Sequence, residues 1–175
     1  MDMETFQVGS YSVEYDSAET ATAHSRIGTP GPEACGCWYC LNWSAGRRKL
    51  VPAAVQAMLD RLGIPLAGET EVYEMTGDDG LHIYGGWYTF AGRVRGPEEG
   101  RDELAIEAWR LHYSDGMHYR VDEFDNGTAS ELSFVVYGVG DFIEPPTDEA
   151  GFARKVSRRG ASFIRRWLDR GGWSI

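Results

Sequence analysis

The spacing of apolar positions along the chain divides it into three stretches. Tyr11–Tyr15 (YSVEY) alternates apolar and polar side chains, the pattern of a half-buried strand. Thr20–Ile27, rich in small and β-branched residues, is expected to pair with it, with DSAE between them as the turn. GTPGPEACG reads as loop from its glycines and prolines. Pro52–Leu62 then carries Val55, Met58, Leu59 and Leu62 at i, i+3, i+4 and i+7, one apolar stripe of a helix. Pro52 suits its first turn, Gly63 its left-handed end, and Pro65 stops continuation.

From Glu69 to Tyr137 the pattern is β. Glu71–Met75 is a short strand, and Leu81–Val94 (LHIYGGWYTFAGRV) a long one whose Gly85-Gly86 pair predicts a bulge or bend. Ala105–Tyr113 alternates imperfectly and is read as one strand. Met117–Phe124 and Glu131–Tyr137 flank Asp125-Asn126-Gly127, whose Asn-Gly predicts a hairpin. Strands joined by short turns pair antiparallel. After Pro145-Pro146, Phe152, Val156, Phe163, Ile164, Trp167 and Leu168 recur at helical spacing within Asp148–Arg170. The expected fold is therefore α+β: a mainly antiparallel sheet, a short inserted helix and a C-terminal helix. Residues 1–146 form the core with its cysteine loop, and residues 147–175 form a basic amphipathic helix packed on that core, the whole being a single domain.

Length and composition agree with one domain. A chain of 175 residues buries roughly 70% of its extended surface without needing a disulfide or metal to build a core. No apolar run approaches the roughly 18 residues of a membrane span, and MDMETFQVGS lacks the basic and apolar regions of a secretory signal. The expected compartment is the cytoplasm, where clustered cysteines point to metal or redox chemistry before structural disulfides. The sequons at Asn42 and Asn126 are then chance matches. Only Lys49 and Lys155 are lysine among 17 basic residues, which with the abundant glycine suggests GC-rich coding and a bacterial origin.

Charge is divided unevenly. Residues 1–146 hold 24 acids against 10 basic residues, net −14, whereas residues 147–175 hold three acids against seven basic residues, net +4. An acidic body repels nucleic-acid backbones, which argues against nucleic acid and for a protein partner.

The chemistry concentrates in GPEACGCWYCLNWS, which contains all three cysteines of the chain, Cys35, Cys37 and Cys40. Thiolates hold zinc tetrahedrally at about 2.3 Å, and a tight turn can aim three of them at one point. A histidine must supply the fourth ligand. His82 is the first candidate, because the neighbouring glycine pair can bend its strand toward the loop, and His24 is the second; His112 and His118 complete the histidines. A redox reading rests on Cys37-Trp38-Tyr39-Cys40, yet no βαβ pattern surrounds this Cys-x-x-Cys. A third reading packs the cysteines as small hydrophobes among Trp38, Tyr39 and Trp43.

Cys35-Gly-Cys37-Trp-Tyr-Cys40-Leu-Asn42-Trp43, followed by Leu62-Gly63-Ile64 and Tyr84-Gly-Gly-Trp-Tyr88, resembles the Cys-x-Cys-x2-Cys-x-Asn-aromatic signature of a family of small bacterial proteins. The resemblance spans roughly residues 5–145 and implies a shared fold and site, without an activity. The basic tail lies outside it.

Other motifs are weaker. Glu98, Glu99, Asp102 and Glu103 lie in a Gly/Pro loop as a solvated face. Asp122–Gly127 lacks the ligand alternation of a calcium loop. Neither a Gly-x-Ser-x-Gly elbow nor a phosphate-binding Gly-x4-Gly-Lys occurs. Trp87 and Tyr88, within the aromatic stretch Tyr84–Phe90, are candidates to line a small-ligand or carbohydrate groove. Three function classes follow: a non-enzymatic interaction domain stabilised by a zinc loop, a small enzyme using the cysteines as metal centre or thiol site, and a ligand binder using Trp87 and Tyr88.

Overall fold

The computed structural model describes residues 3–76, 80–96, 104–117, 121–124 and 128–146. The described strands form an antiparallel seven-stranded sheet, and with the helices they make a mixed α+β architecture. In chain order the elements are β1 (Glu4–Val8), β2 (Tyr11–Tyr15), α1 (Ser17–Arg26), α2 (Gly31–Cys35), α3 (Trp38–Leu50), α4 (Ala53–Leu62), β3 (Glu69–Thr76), β4 (His82–Arg95), β5 (Leu104–Ile106), β6 (Trp109–Asp115) and β7 (Ala129–Val139). The strand order is β1-β2-β4-β7-β6-β5, with β3 also on β4.

β4 is the spine. β7 runs along it from His82↔Val139 to Ala91↔Ala129, β3 takes its first half and β2 its last four residues. The sheet is strongly curled. Two strands, β4 and β7, lie between β2 and β6 in the order, yet Tyr11 Oη and His112 Nδ1 are 2.8 Å apart, and the Phe6 ring lies 6.3 Å from that of Tyr113.

The concave face holds the core. Tyr84, Tyr88 and Phe90 of β4 fall on alternate positions with Leu132, Phe134 and Val136 of β7 and Trp109, Leu111 and Tyr113 of β6. Val55, Leu59 and Leu62 of α4 fill this concavity, the stripe expected from their spacing, and Trp43 of α3 stacks on Phe134 at 5.2 Å. Burying such side chains contributes roughly 1.5–3 kcal/mol each. Gly63 ends α4 in the left-handed conformation (φ 78°), as its position predicts.

Several expectations are corrected. Ser17–Arg26 is a helix, and the segment read as the strand Thr20–Ile27 lies almost wholly within it. Asp16 caps it by accepting from Glu19 N–H at 2.8 Å, so DSAE is a helix start and not a hairpin turn. GPEACG, read as loop, contains the single helical turn α2 and the left-handed Gly36 (φ 62°). Ala105–Tyr113 is two strands, because Glu107 adopts φ 53° and turns the chain between β5 and β6. That turn is why the alternation across the segment was imperfect. Among the described residues β7 pairs with β4 and β6, and Asp122–Phe124, the end of the expected strand Met117–Phe124, is a 3-10 turn. Both edges of β7 are taken, one by β4 and the other by β6, whose Trp109, Leu111 and Tyr113 face inward. The irregularity expected at Gly85-Gly86 falls just before them, a register shift between His82 and Tyr84 on the β7 side; the ladder runs through both glycines, whose missing side chains leave room for the rings of Tyr73 and Phe134. β1 escaped the sequence reading altogether. The expected C-terminal helix, the Asn126-Gly127 turn and His118 lie outside the described residues.

Arg47 of α3 is buried between two carboxylates, Nε–Glu69 Oε1 at 2.7 Å and a terminal nitrogen–Glu33 Oε1 at 2.9 Å. Trp43 Nε1 donates to the same Glu69 oxygen at 2.8 Å. Removing one member of a buried ion pair leaves an uncompensated charge and costs about 3–5 kcal/mol. Arg47→Met is therefore expected to lower the unfolding free energy by about that amount, whereas Arg48→Met, exposed on the same helix, stays within about 0.5 kcal/mol of wild type. Urea unfolding of the two variants checks this, and equal stabilities would remove the network from its structural role.

Candidate metal centre

The three cysteines converge because two helices meet at a glycine. Cys35 is the last residue of α2, Gly36 reverses the chain in the left-handed region, and Cys37 occupies the position before the first residue of α3. Cys40 follows in the first turn of α3. The three Sγ atoms lie within 4.8 Å of one another, with Cys35 exposed, Cys37 half-buried and Cys40 buried. Thiolates about 2.3 Å from a tetrahedral ion stand about 3.8 Å apart, so the cluster needs a contraction of an ångström at most to hold one. Three closely spaced soft donors can bind a metal ion, and the donor chemistry fits zinc.

The thiols differ electrostatically. Cys37 is drawn down to about 5, first by the thiol of Cys40 donating to it, with burial opposing and the backbone N–H of Cys40 assisting. Cys40 is pushed far up, by giving that hydrogen bond and by burial. Burial also raises Cys35.

Asn42, two residues beyond Cys40, is fully buried and explains its place in the motif. Its Oδ1 accepts from Phe142 N–H at 2.6 Å and Ile143 N–H at 3.3 Å, and its Nδ2 donates to Tyr84 Oη at 3.1 Å and Gly140 O at 3.3 Å. Trp38 Nε1 donates to Glu144 O at 2.9 Å, and a side chain at Gly46 would collide with the Phe142 ring. The segment after β7 is thus strapped across the first turns of α3. Tyr84 Oη in turn donates to Tyr39 O at 3.0 Å, anchoring the residue between Cys37 and Cys40 to the sheet.

His82 is brought to this region but not into the cluster. Its ring packs edge-on against Trp38 (5.4 Å) and Tyr39 (5.8 Å). Its Nδ1 lies 2.9 Å from Glu74 Oε1 and its Nε2 3.0 Å from Asp141 Oδ1. Burial works against its charge, yet these two carboxylates prevail and raise its pKa. His24, the second candidate, is elsewhere: its Nε2 donates to Thr89 O at 2.9 Å, its ring meets Phe124, and burial lowers its pKa. His112 meets Tyr11. Among the described residues the cluster of potential ligand atoms comprises thiols alone.

Trp87 and Tyr88 form no open aromatic groove. They are 2% and 0% exposed and, as neighbours on a strand, point to opposite faces, Tyr88 into the core and Trp87 away from it. An open groove of about 410 Å³ lies between α1 and the end of α4, lined by Ala21, His24, Asp60, Gly63, Ile64 and Pro65, and none of the cysteines lines it.

The sequence reading missed Glu33, Arg47 and Glu69, which fix α2 and α3 on β3, and Glu74 and Asp141, which hold His82. Their partners are 8 to 59 residues away and on other elements, so no local pattern announces them. The redox reading lacked a βαβ context; the antiparallel sheet supplies none, but a helix does begin at the Cys-x-x-Cys. No helix among the described residues is long and apolar enough to cross a membrane. No family model, no curated protein and no solved structure matches the chain.

Asn42→Ala orphans two N–H groups and a carbonyl, each loss costing about 1–3 kcal/mol where water cannot replace it. The amides of Phe142 and Ile143 are expected to lose hydrogen-exchange protection while those of β7 keep theirs. Unchanged protection at Phe142 would show that the strap is held by other contacts.

Proposed function

We propose that the chain is a non-enzymatic interaction domain whose α2–α3 junction is stapled by one zinc ion and whose acidic body receives a protein partner. The observation that carries this reading is the convergence of the Cys35, Cys37 and Cys40 sulfurs within 4.8 Å. The staple joins a helix of one turn to the helix that bears Trp43 and Arg47, a place where added rigidity serves the fold. The fourth ligand in this reading is His82. Its Nε2 is tied to Asp141, whose side chain is 45% exposed, and exposed ion pairs are worth only about 0–1 kcal/mol, so the ring is released at little expense. The other nitrogen stays on Glu74, the usual carboxylate support of a metal-bound histidine. The net charge of −10 favours a basic or neutral protein surface over nucleic acid as partner.

Protein purified without a histidine tag is expected to carry about one equivalent of zinc, with its thiols shielded from alkylation until a chelator is added. Elemental analysis with thiol titration checks both. Metal-free protein with three freely reacting thiols would overturn the site. His82→Ala is expected to lower the zinc retained per folded chain, and His24→Ala to leave it unchanged. Equal retention in the two variants would remove His82 from the ligand set.

A further inference from the structure

We propose that the three-thiol centre is also a redox switch: a hydroperoxide joins Cys37 to Cys40 as a disulfide and expels the metal, leaving Cys35 as a thiol. This rests on the metal reading above and assigns its regulation.

The argument is geometric. Cys37 immediately precedes α3 and Cys40 lies in its first turn, so the pair is fixed by one rigid element. Residues three apart at a helix start have Cα atoms roughly 5 Å apart, inside the ~4.4–6.8 Å that a disulfide spans. Their sulfurs are already within 4.8 Å, so less than about 3 Å separates them from the roughly 2.05 Å of a disulfide. Cys35 is differently held. It ends α2, and α2 is fastened through Glu33 to buried Arg47, so drawing Cys35 into a disulfide with either partner strains that attachment. The strap on Asn42 and the Tyr84–Tyr39 bond hold α3 in place while the thiols react.

The electrons balance as follows. The Cys37 sulfur attacks the outer oxygen of the hydroperoxide; the O–O bond breaks, Cys37 becomes a sulfenic acid, and the alkoxide or hydroxide leaves and takes a proton from solvent. The Cys40 sulfur then attacks the sulfenic sulfur; the S–S bond forms, and hydroxide leaves and is protonated to water. Two electrons pass from the two sulfurs to the peroxide. Both sulfurs lose their negative charge, which leaves the ion with at most half of its four ligands, too few for a closed tetrahedral site.

The test uses the zinc-loaded full chain, hydrogen peroxide, a chromogenic zinc indicator and peptide mapping after alkylation. Zinc release is expected to track the loss of two of the three thiols, with Cys35 alone still alkylated and the metal rebound after reduction. Cys35→Ser is expected to form the same disulfide and Cys40→Ser to form none. Zinc release with Cys35 in the disulfide overturns the proposal, as does oxidation to sulfinic acid without any disulfide. Zinc bound and then retained in peroxide overturns the switch alone. A chain that carries no zinc before peroxide is added overturns the metal reading, and the switch with it.

Discussion

A buried guanidinium organises this molecule. Arg47 sits between Glu33 and Glu69, and Trp43, one turn earlier on the same helix, donates to the Glu69 oxygen that Arg47 also holds. Burial pushes the Glu69 carboxyl up, and the Arg47 charge is what chiefly opposes it. Placed inside a protein, such charges are tolerated only as a set, since each isolated ion would carry a desolvation penalty of several kcal/mol. The set therefore imposes geometry: α2, α3 and β3 must meet where the three side chains meet. The bulge in β3 between Glu69 and Glu71 is part of that arrangement, because it sends Glu69 inward opposite Tyr88.

The thiol cluster depends on this constraint. Cys35 is carried by the element that Glu33 anchors, and Cys37 and Cys40 by the element that bears Arg47, so the ion pair sets the separation of the two thiol carriers. The strap on Asn42 secures α3 from its other side, bringing Asp141 to His82 and Glu144 to Trp38. A polar network holds the site, while the hydrophobic core beneath it holds α3 and α4 against the sheet. Stability and site geometry thus share Trp43, whose ring belongs to the core and whose N–H belongs to the network.

The contrast between His82 and His24 shows how much neighbours decide. Both are histidines against β4, one at its start and one beneath its middle. His82 lies between two carboxylates and is shifted toward its charged form, whereas burial under Phe124 shifts His24 toward its neutral form. The carboxylates that set His82 apart, Glu74 and Asp141, come from other strands and loops and not from its flanking residues.

What the sequence by itself determined were features carried by neighbours along the chain. The stripe of Val55, Leu59 and Leu62 and the Gly63 stop define α4, the alternation of Tyr11–Tyr15 defines β2, and the dense aromatic run defines β4. The six-residue spacing of the cysteines already places three thiols together. Tertiary structure decided the rest. The pairing of β6 with β7 depends on which faces find a common core, and the curl that brings Tyr11 to His112 depends on the whole sheet. Glu33, Arg47 and Glu69 become a site only when three elements fold against one another. Helix stripes and strand alternation are short-range and leave a mark in the sequence; the desolvation of a charge depends on residues dozens of positions away, and leaves none until the chain has folded.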